Sequence, residues 1–148
     1  MAPNTNVDIL MVEDDPGDVE LTREGFRECA LAAVLHVVED GIEALRFLRR
    51  QGPYREAVVP DLILLDLNLP RMDGRELLRE LRADDSLKAI PVVVLTTSEA
   101  DTDIFDCYRL GANCYLSKPV RLDDYLSMVQ SLGVFWFSIA HLPNKGGT

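Results

Sequence analysis

Glu13, Asp14 and Asp15 form one acidic cluster, Asp66 stands alone, Thr96 and Thr97 supply hydroxyls, and Ser117 precedes Lys118. Asp66 is the most conspicuous, because it follows the unbroken apolar run Leu62-Ile63-Leu64-Leu65 and is itself followed by Leu67. A carboxylate in such surroundings costs free energy unless it is paired, hydrogen-bonded or metal-bound. Were Glu13, Asp14 and Asp66 brought within ~4–6 Å of one another, they would repel and raise one another's pKa. A hard divalent cation removes that penalty. Mg²⁺ takes oxygen ligands, keeps several waters, and commonly uses one or two carboxylates together with a phosphate. A metal site of this kind can accept a phosphoryl group, with Lys118 as a fixed positive charge for its oxygens and Thr96 as a hydroxyl donor. An aspartate beside the metal can then act as nucleophile and become an aspartyl-phosphate. Metal and lysine would stabilise the charge of an in-line transfer.

Positioning these residues requires elements that end where they stand. VDILMV (7–12), VLHVV (34–38), DLILLD (61–66), PVVVLT (91–96) and NCYLS (113–117) read as strands. The central ones are too continuously apolar to have a wet face, which points to a parallel sheet covered on both sides. Helix signals lie between them. Asp15-Pro16 offers an N-cap and a proline at the first helical position, after which Val19, Thr22, Phe26 and Ala30 recur at helical spacing. Asp40…Glu43 and Asp73…Glu76 have the form of capping boxes opening leucine-striped helices. A fourth helix is expected over residues 101–110 with Gly111 as its C-cap, and a fifth from Leu122. Strict β-α alternation predicts a doubly wound, five-stranded parallel α/β sheet with right-handed crossovers. Ligand sites of such sheets lie outside the carboxyl ends of the strands, where four of the five expected strands place polar or charged groups. Any single one of these acids could be an ordinary helix cap, and Asp15 is read as one. Caps alone do not require a lysine opposite three acids.

The 148 residues carry a formal charge of −10, so a nonspecific nucleic-acid partner is not expected. The N-terminus lacks a secretory pattern, and no apolar run approaches the roughly 18–20 residues needed to span a bilayer. Cys29, Cys107 and Cys114 lack CxxC spacing, and His36 and His141 lack ligand spacing, so neither disulfides nor zinc are implied and a reducing cytoplasm fits. The expected organisation is an N-terminal tail (1–6), one domain (7–132), and an extension of the last helix with a tail (133–148). Within GVFWFSIAHL (133–142), Phe135, Trp136 and Phe137 either pack on their own domain or anchor a contact with a second copy.

VEDD (12–15), LLDLNLPRMDG (64–74), VVVLTTS (92–98) and CYLSKP (114–119) occur in the order and spacing of a known family. Over residues 7–132 the chain resembles the receiver domain of two-component response regulators, a flavodoxin-like (βα)5 fold. The resemblance makes Asp66 the phosphoacceptor, Asp14 a direct Mg²⁺ ligand, Glu13 a ligand directly or through water, and the Asn68 carbonyl a further ligand. It makes Lys118 the phosphate-binding lysine, Thr96 the switch hydroxyl, and Tyr115 the aromatic that swings inward when Thr96 moves. It also implies a cis peptide bond between Lys118 and Pro119. Departures are small: a Glu-Asp acidic pair, Thr97 where a smaller residue is frequent, and Val120 in place of an aromatic. VVEDGIEALRFLRRQGPY and PDLILLDLNLPRMDGRELL are similar to single-domain regulators that serve phytochrome-type sensor histidine kinases. With no room for an output domain after residue 132, output is expected through the receiver surface, including a homodimer through the face of the fourth helix, fifth strand and fifth helix. A haloacid-dehalogenase-type hydrolase needs a second aspartate at the position of Asn68. A degenerate receiver would have lost Asp66 or Lys118, and a flavodoxin-like cofactor carrier would not place three acids where a phosphate must sit.

Overall fold

The computed structural model describes residues 7–29 and 33–143. Ala30, the whole of the expected N-terminal tail (1–6) and residues 144–148 of the expected C-terminal one lie outside the described residues. Five strands, β1 (Val7–Val12), β2 (Ala33–Val38), β3 (Leu62–Leu65), β4 (Val92–Thr96) and β5 (Cys114–Ser117), alternate with five helices. These are α1 (Pro16–Arg27), α2 (Gly41–Leu48), α3 (Gly74–Ala83), α4 (Asp101–Arg109) and α5 (Leu122–Val134). A single 3₁₀ turn (Gly52–Tyr54) occupies the loop after α2, and α5 runs on into a π-helical turn (Phe135–Ile139).

All strand pairings are parallel, in the order β2-β1-β3-β4-β5. The apolar strand runs divide their side chains between two cores. Ile9 and Met11 of β1, Leu62 and Leu64 of β3, and Val93 and Leu95 of β4 pack with Val19, Phe26, Tyr125 and Val129 of α1 and α5. The alternate residues Leu10, Val12, Ile63, Leu65, Val92 and Val94 pack with Leu45, Leu48, Leu77, Leu81 and Cys107 of α2, α3 and α4. Alternation of successive side chains across the sheet therefore turns a featureless leucine run into two buried faces.

Aspartates set the starts of α1, α2 and α3. Asp15 accepts from Gly17 N at 2.8 Å, Asp40 from Glu43 N at 2.9 Å and Asp73 from Glu76 N at 3.1 Å. Each satisfies a backbone donor that the helix itself leaves unpaired. Gly111 ends α4 with a φ of +106°, a conformation that disfavours a side chain. The expected cis bond before Pro119 is not found: among the described residues every peptide bond is trans. Trans is the lower-energy isomer by about 0.5–1 kcal/mol for X-Pro. The β4–β5 pairing carries one residue beyond Ser117, the Lys118 N–H donating to Thr96 O at 2.7 Å.

Candidate functional site

The strand order places the topological switch point between β1 and β3, whose onward connections run to opposite sides of the sheet. Glu13 and Asp14 follow β1 directly and Asp66 follows β3 directly. Backbone bonds extend the sheet to these positions: Glu13 N donates to Val38 O at 3.0 Å and Asp66 N to Val12 O at 3.1 Å. Carboxylate oxygens of Glu13, Asp14 and Asp66 come within 4.8 Å of one another. Behind Asp66, Gly74 packs so closely that a Cβ there would lie 2.5 Å from the Asp66 carbonyl oxygen. Any other residue at position 74 would push the strand end out of place.

Lys118 enters from the end of β5 with a side chain only 7% exposed. Its Nζ donates to Glu13 Oε1 at 2.7 Å, Asp18 Oδ2 at 2.8 Å and Asp66 Oδ2 at 3.1 Å. An ammonium has three N–H groups, and all three are taken. Burial acts to lower the Lys118 pKa, but the bonds to Asp18 and Glu13 and the charges of Glu13 and Asp66 together raise it above the ordinary lysine value. Glu13 behaves differently: burial pushes its carboxyl up to about 7 despite the opposing pull of Lys118. One cation divided among three carboxylates does not offset the desolvation of the deepest of them.

Thr96 ends β4 fully buried, and its Oγ1 finds no hydrogen-bond partner among the described residues. A buried hydroxyl left unpaired is costly, and it is suited to an acceptor that arrives later. Asn68 is exposed two residues beyond Asp66, with its own N–H turned back to Asp66 Oδ1 at 3.4 Å. Tyr115 is half-buried and its hydroxyl donates to Ser98 O, in the loop after β4, at 3.0 Å. The structure thus draws Glu13, Asp14, Asp66 and Lys118 into one cluster, with Thr96 and Asn68 at the adjoining strand ends. Asp15 stands apart as the cap of α1.

Asp18 was not anticipated. Three residues after the Asp15 cap, it reads as an ordinary first-turn acid favoured by the helix dipole, and nothing in the sequence distinguishes it from one. Also unanticipated is the Ser98–Asp103–Arg75 chain, in which Ser98 Oγ donates to Asp103 Oδ2 at 2.6 Å and Arg75 pairs with the other oxygen of Asp103. It ties α3 to α4 beside Tyr115.

Three carboxylates from two neighbouring strand ends, a saturated lysine and an unpaired buried hydroxyl suit a small, hard, oxygen-seeking cation with an anionic group beside it. A parallel sheet of this order with this acidic edge defines a receiver. Residues 9–130 match the family model described as response regulator receiver domain, and the chain belongs to that family. Response regulator Rcp1 of Synechocystis sp. is 45% identical over 135 residues, which cover 91% of this chain and 92% of the relative. The crystal structure of the phosphorylated cyanobacterial phytochrome response regulator RcpA matches with a TM-score of 0.91 at 44% identity, covering 95% of this chain and 100% of that one. The Mn²⁺-bound form of Rcp1 matches with a TM-score of 0.89 at 44% identity over 93% of this chain and 99% of that one. Membership sets the partner class as a sensor histidine kinase. No helix among the described residues is long and apolar enough to cross a membrane.

Proposed function

We propose that Asp66 is the phosphoacceptor of a Mg²⁺-dependent receiver serving a phytochrome-type sensor histidine kinase in the cytoplasm. The observation that carries the reading is the meeting of three carboxylates within 4.8 Å of one another, with Lys118 Nζ 3.1 Å from Asp66 Oδ2. Glu13, Asp14, Asp66 and the carbonyl of Asn68 would hold the ion. When bound, Mg²⁺ neutralises the acidic cluster and the developing charge on the transferred group. An Asp66 carboxylate oxygen forms the new P–O bond as the P–N bond of the donor phosphohistidine breaks, and the leaving imidazole takes up a proton. Lys118 gives an N–H to a phosphoryl oxygen, and Thr96 supplies its unused hydroxyl to another. Movement of Thr96 removes what its side chain fills, and Tyr115, already tied to the loop after β4, follows it inward. The likeness to RcpA and to Rcp1 supports the phytochrome assignment.

The signal leaves through the receiver surface by way of a homodimer on the face of α4, β5 and α5. Phe105, Val134, Phe135 and Ile139 are exposed apolar residues of these segments and of the turn beyond α5. Incubation with a small phosphodonor and Mg²⁺, followed by intact mass spectrometry, tests the central step. The expected product is a base-labile phosphoryl adduct that is absent from Asp66→Asn and from reactions without Mg²⁺. An adduct that persists in the mutant, or that forms without the ion, overturns the assignment.

A further inference from the structure

Lys118 is held from two directions. Glu13 and Asp66 belong to the carboxylate cluster at the switch point, whereas Asp18 reaches the same ammonium from the first turn of α1. We propose that Asp18 is a positioning residue for phosphoryl transfer: it anchors one N–H of Lys118 throughout the cycle, so that the lysine stays aimed at Asp66 when its other partners are drawn away. The inference rests on the reading of Asp66 as phosphoacceptor and Lys118 as its phosphate-binding partner.

All three Lys118 N–H groups are used in the structure, by Glu13, Asp18 and Asp66. An incoming phosphoryl oxygen must therefore replace an existing acceptor. Asp66 is consumed by the reaction itself, and Glu13 lies in the cluster that a cation would engage. Among the described residues, Asp18 is the one partner of the Lys118 ammonium outside that cluster. With its carboxylate in place, the lysine turns about a fixed bond and exchanges a carboxylate oxygen for a phosphoryl oxygen. Without it, a four-carbon chain with many rotamers has to be ordered during the transfer.

Asp18 is itself unusually well fixed for a first-turn acid. Its carbonyl accepts from Thr22 Oγ1 at 2.8 Å and from Tyr125 Oη at 3.5 Å. Thr22 Oγ1 and Tyr125 Oη lie 3.1 Å apart in the interface between α1 and α5. Thr22 is 0% and Tyr125 2% exposed, so this pair is a buried polar cross-link with little else to bond. The α1–α5 contact thus sets where Asp18 stands, and Asp18 sets where Lys118 points. A cleft of about 350 Å³, lined in part by Asp18, Thr97, Lys118 and Val120, opens beside them.

The test compares wild type, Asp18→Ala and Asp18→Asn at saturating Mg²⁺, so that altered metal affinity does not enter. Phosphorylation by phosphoramidate is followed by intact mass, and the Lys118 ζ-ammonium is followed by ¹⁵N NMR. Asp18→Ala is expected to slow transfer at least fivefold and to abolish the slowly exchanging ammonium signal. Asp18→Asn keeps an amide oxygen to accept the N–H, and should recover more than half of the lost rate together with the signal. A purely structural role would leave the ammonium signal in place and would not be rescued by asparagine. Transfer in Asp18→Ala at the wild-type rate or faster, or an unaltered ammonium signal, overturns the proposal while leaving the role of Asp66 intact. Wild type that takes no phosphoryl group, or Asp66→Asn that takes it equally, overturns both.

Discussion

Glu13 is buried to 2% exposure, and burial pushes its carboxyl up to about 7 while Lys118 pulls the other way. The folded-state pKa lies above the unfolded value of 4.5, so the folded chain binds a proton at Glu13 that the unfolded chain has released. This contribution to stability is fully present below about pH 4.5 and is lost as pH rises through 7. At about 1.4 kcal/mol per pH unit, the loss amounts to roughly 3 kcal/mol. Glu13→Gln has no proton to lose at this position, while Asp84 and Asp103, whose carboxyls are held low by their hydrogen-bond partners, titrate alike in both proteins. Urea unfolding in EDTA should therefore show wild type losing stability relative to Glu13→Gln between pH 4.5 and 7, and saturating Mg²⁺ should remove the difference. Parallel pH profiles in EDTA would mean that Lys118 already neutralises Glu13. The same arithmetic explains why a site built for a divalent cation carries a surplus of carboxylates over its single lysine. The surplus destabilises the empty cluster and becomes affinity for the ion.

Helix α1 is pressed onto α5 at Gly25, where a Cβ would lie 2.6 Å from both Cβ and Cγ1 of Val129. Alanine gains about 1 kcal/mol of helix propensity over glycine. Overpacking a tight contact costs about 1–3 kcal/mol, and Val129, at 0% exposure, has nowhere to go. Gly25→Ala should thus lower the unfolding free energy by up to about 2 kcal/mol, read by urea titration, and displacement of α1 should slow phosphorylation through Asp18. A stabilised variant with normal transfer would show that the helices slide freely. Strands, helix order and caps were legible in the sequence because periodicity and aspartate-initiated helices are local signals, carried by Leu62–Leu65 and by Asp15, Asp40 and Asp73. Glu13, Asp14, Asp66 and Lys118 were legible because each ends a strand of a parallel sheet, and strand ends of such sheets converge. Contacts between helices were not. Arg82 of α3 donates to Gly111 O twice, and to Lys88 O, Ile90 O and Asn113 Oδ1, at 2.8–2.9 Å, clamping the loop that leads into β4 to the loop that leads into β5. In the sequence it is one more arginine on a charged helix. The Asp18–Lys118 pair spans a hundred residues and was hidden for the same reason. The cis bond at Pro119 came from resemblance alone, and no local pattern in this chain supported it.

The whole molecule leaves an uneven apolar surface at its C-terminal end. Trp136 and Phe137 pack against the α1/α5 core, with the Phe137 ring 6.3 Å from that of Phe26. Phe135 instead stands half-exposed, edge-on to Trp136 at 5.3 Å, beside exposed Val134 and Ile139. The three aromatics thus divide: Trp136 and Phe137 pack on the α1/α5 core, and Phe135 is left half in solvent. An apolar groove of about 500 Å³ between β5 and α5, lined by Cys114, Leu116, Met128 and Leu132, adjoins Phe135 and Trp136. Each copy carries a formal charge of −10, so two copies repel, and added salt screens that repulsion over a Debye length of about 10 Å at 0.1 M. A homodimer anchored by apolar side chains should accordingly tighten as salt rises, whereas one held by ion pairs would loosen. Sedimentation of the wild type at high micromolar concentration should show a dimer whose dissociation constant falls between low and moderate NaCl. Phe135→Ser should shift that equilibrium to monomer with little change in melting temperature, because its ring is half in solvent. Trp136→Ala should lower the melting temperature, because it opens the packing against α5. Wild type that stays monomeric with and without a phosphoryl mimic, or a dimer that weakens with salt and ignores Phe135, would exclude this face as the interface.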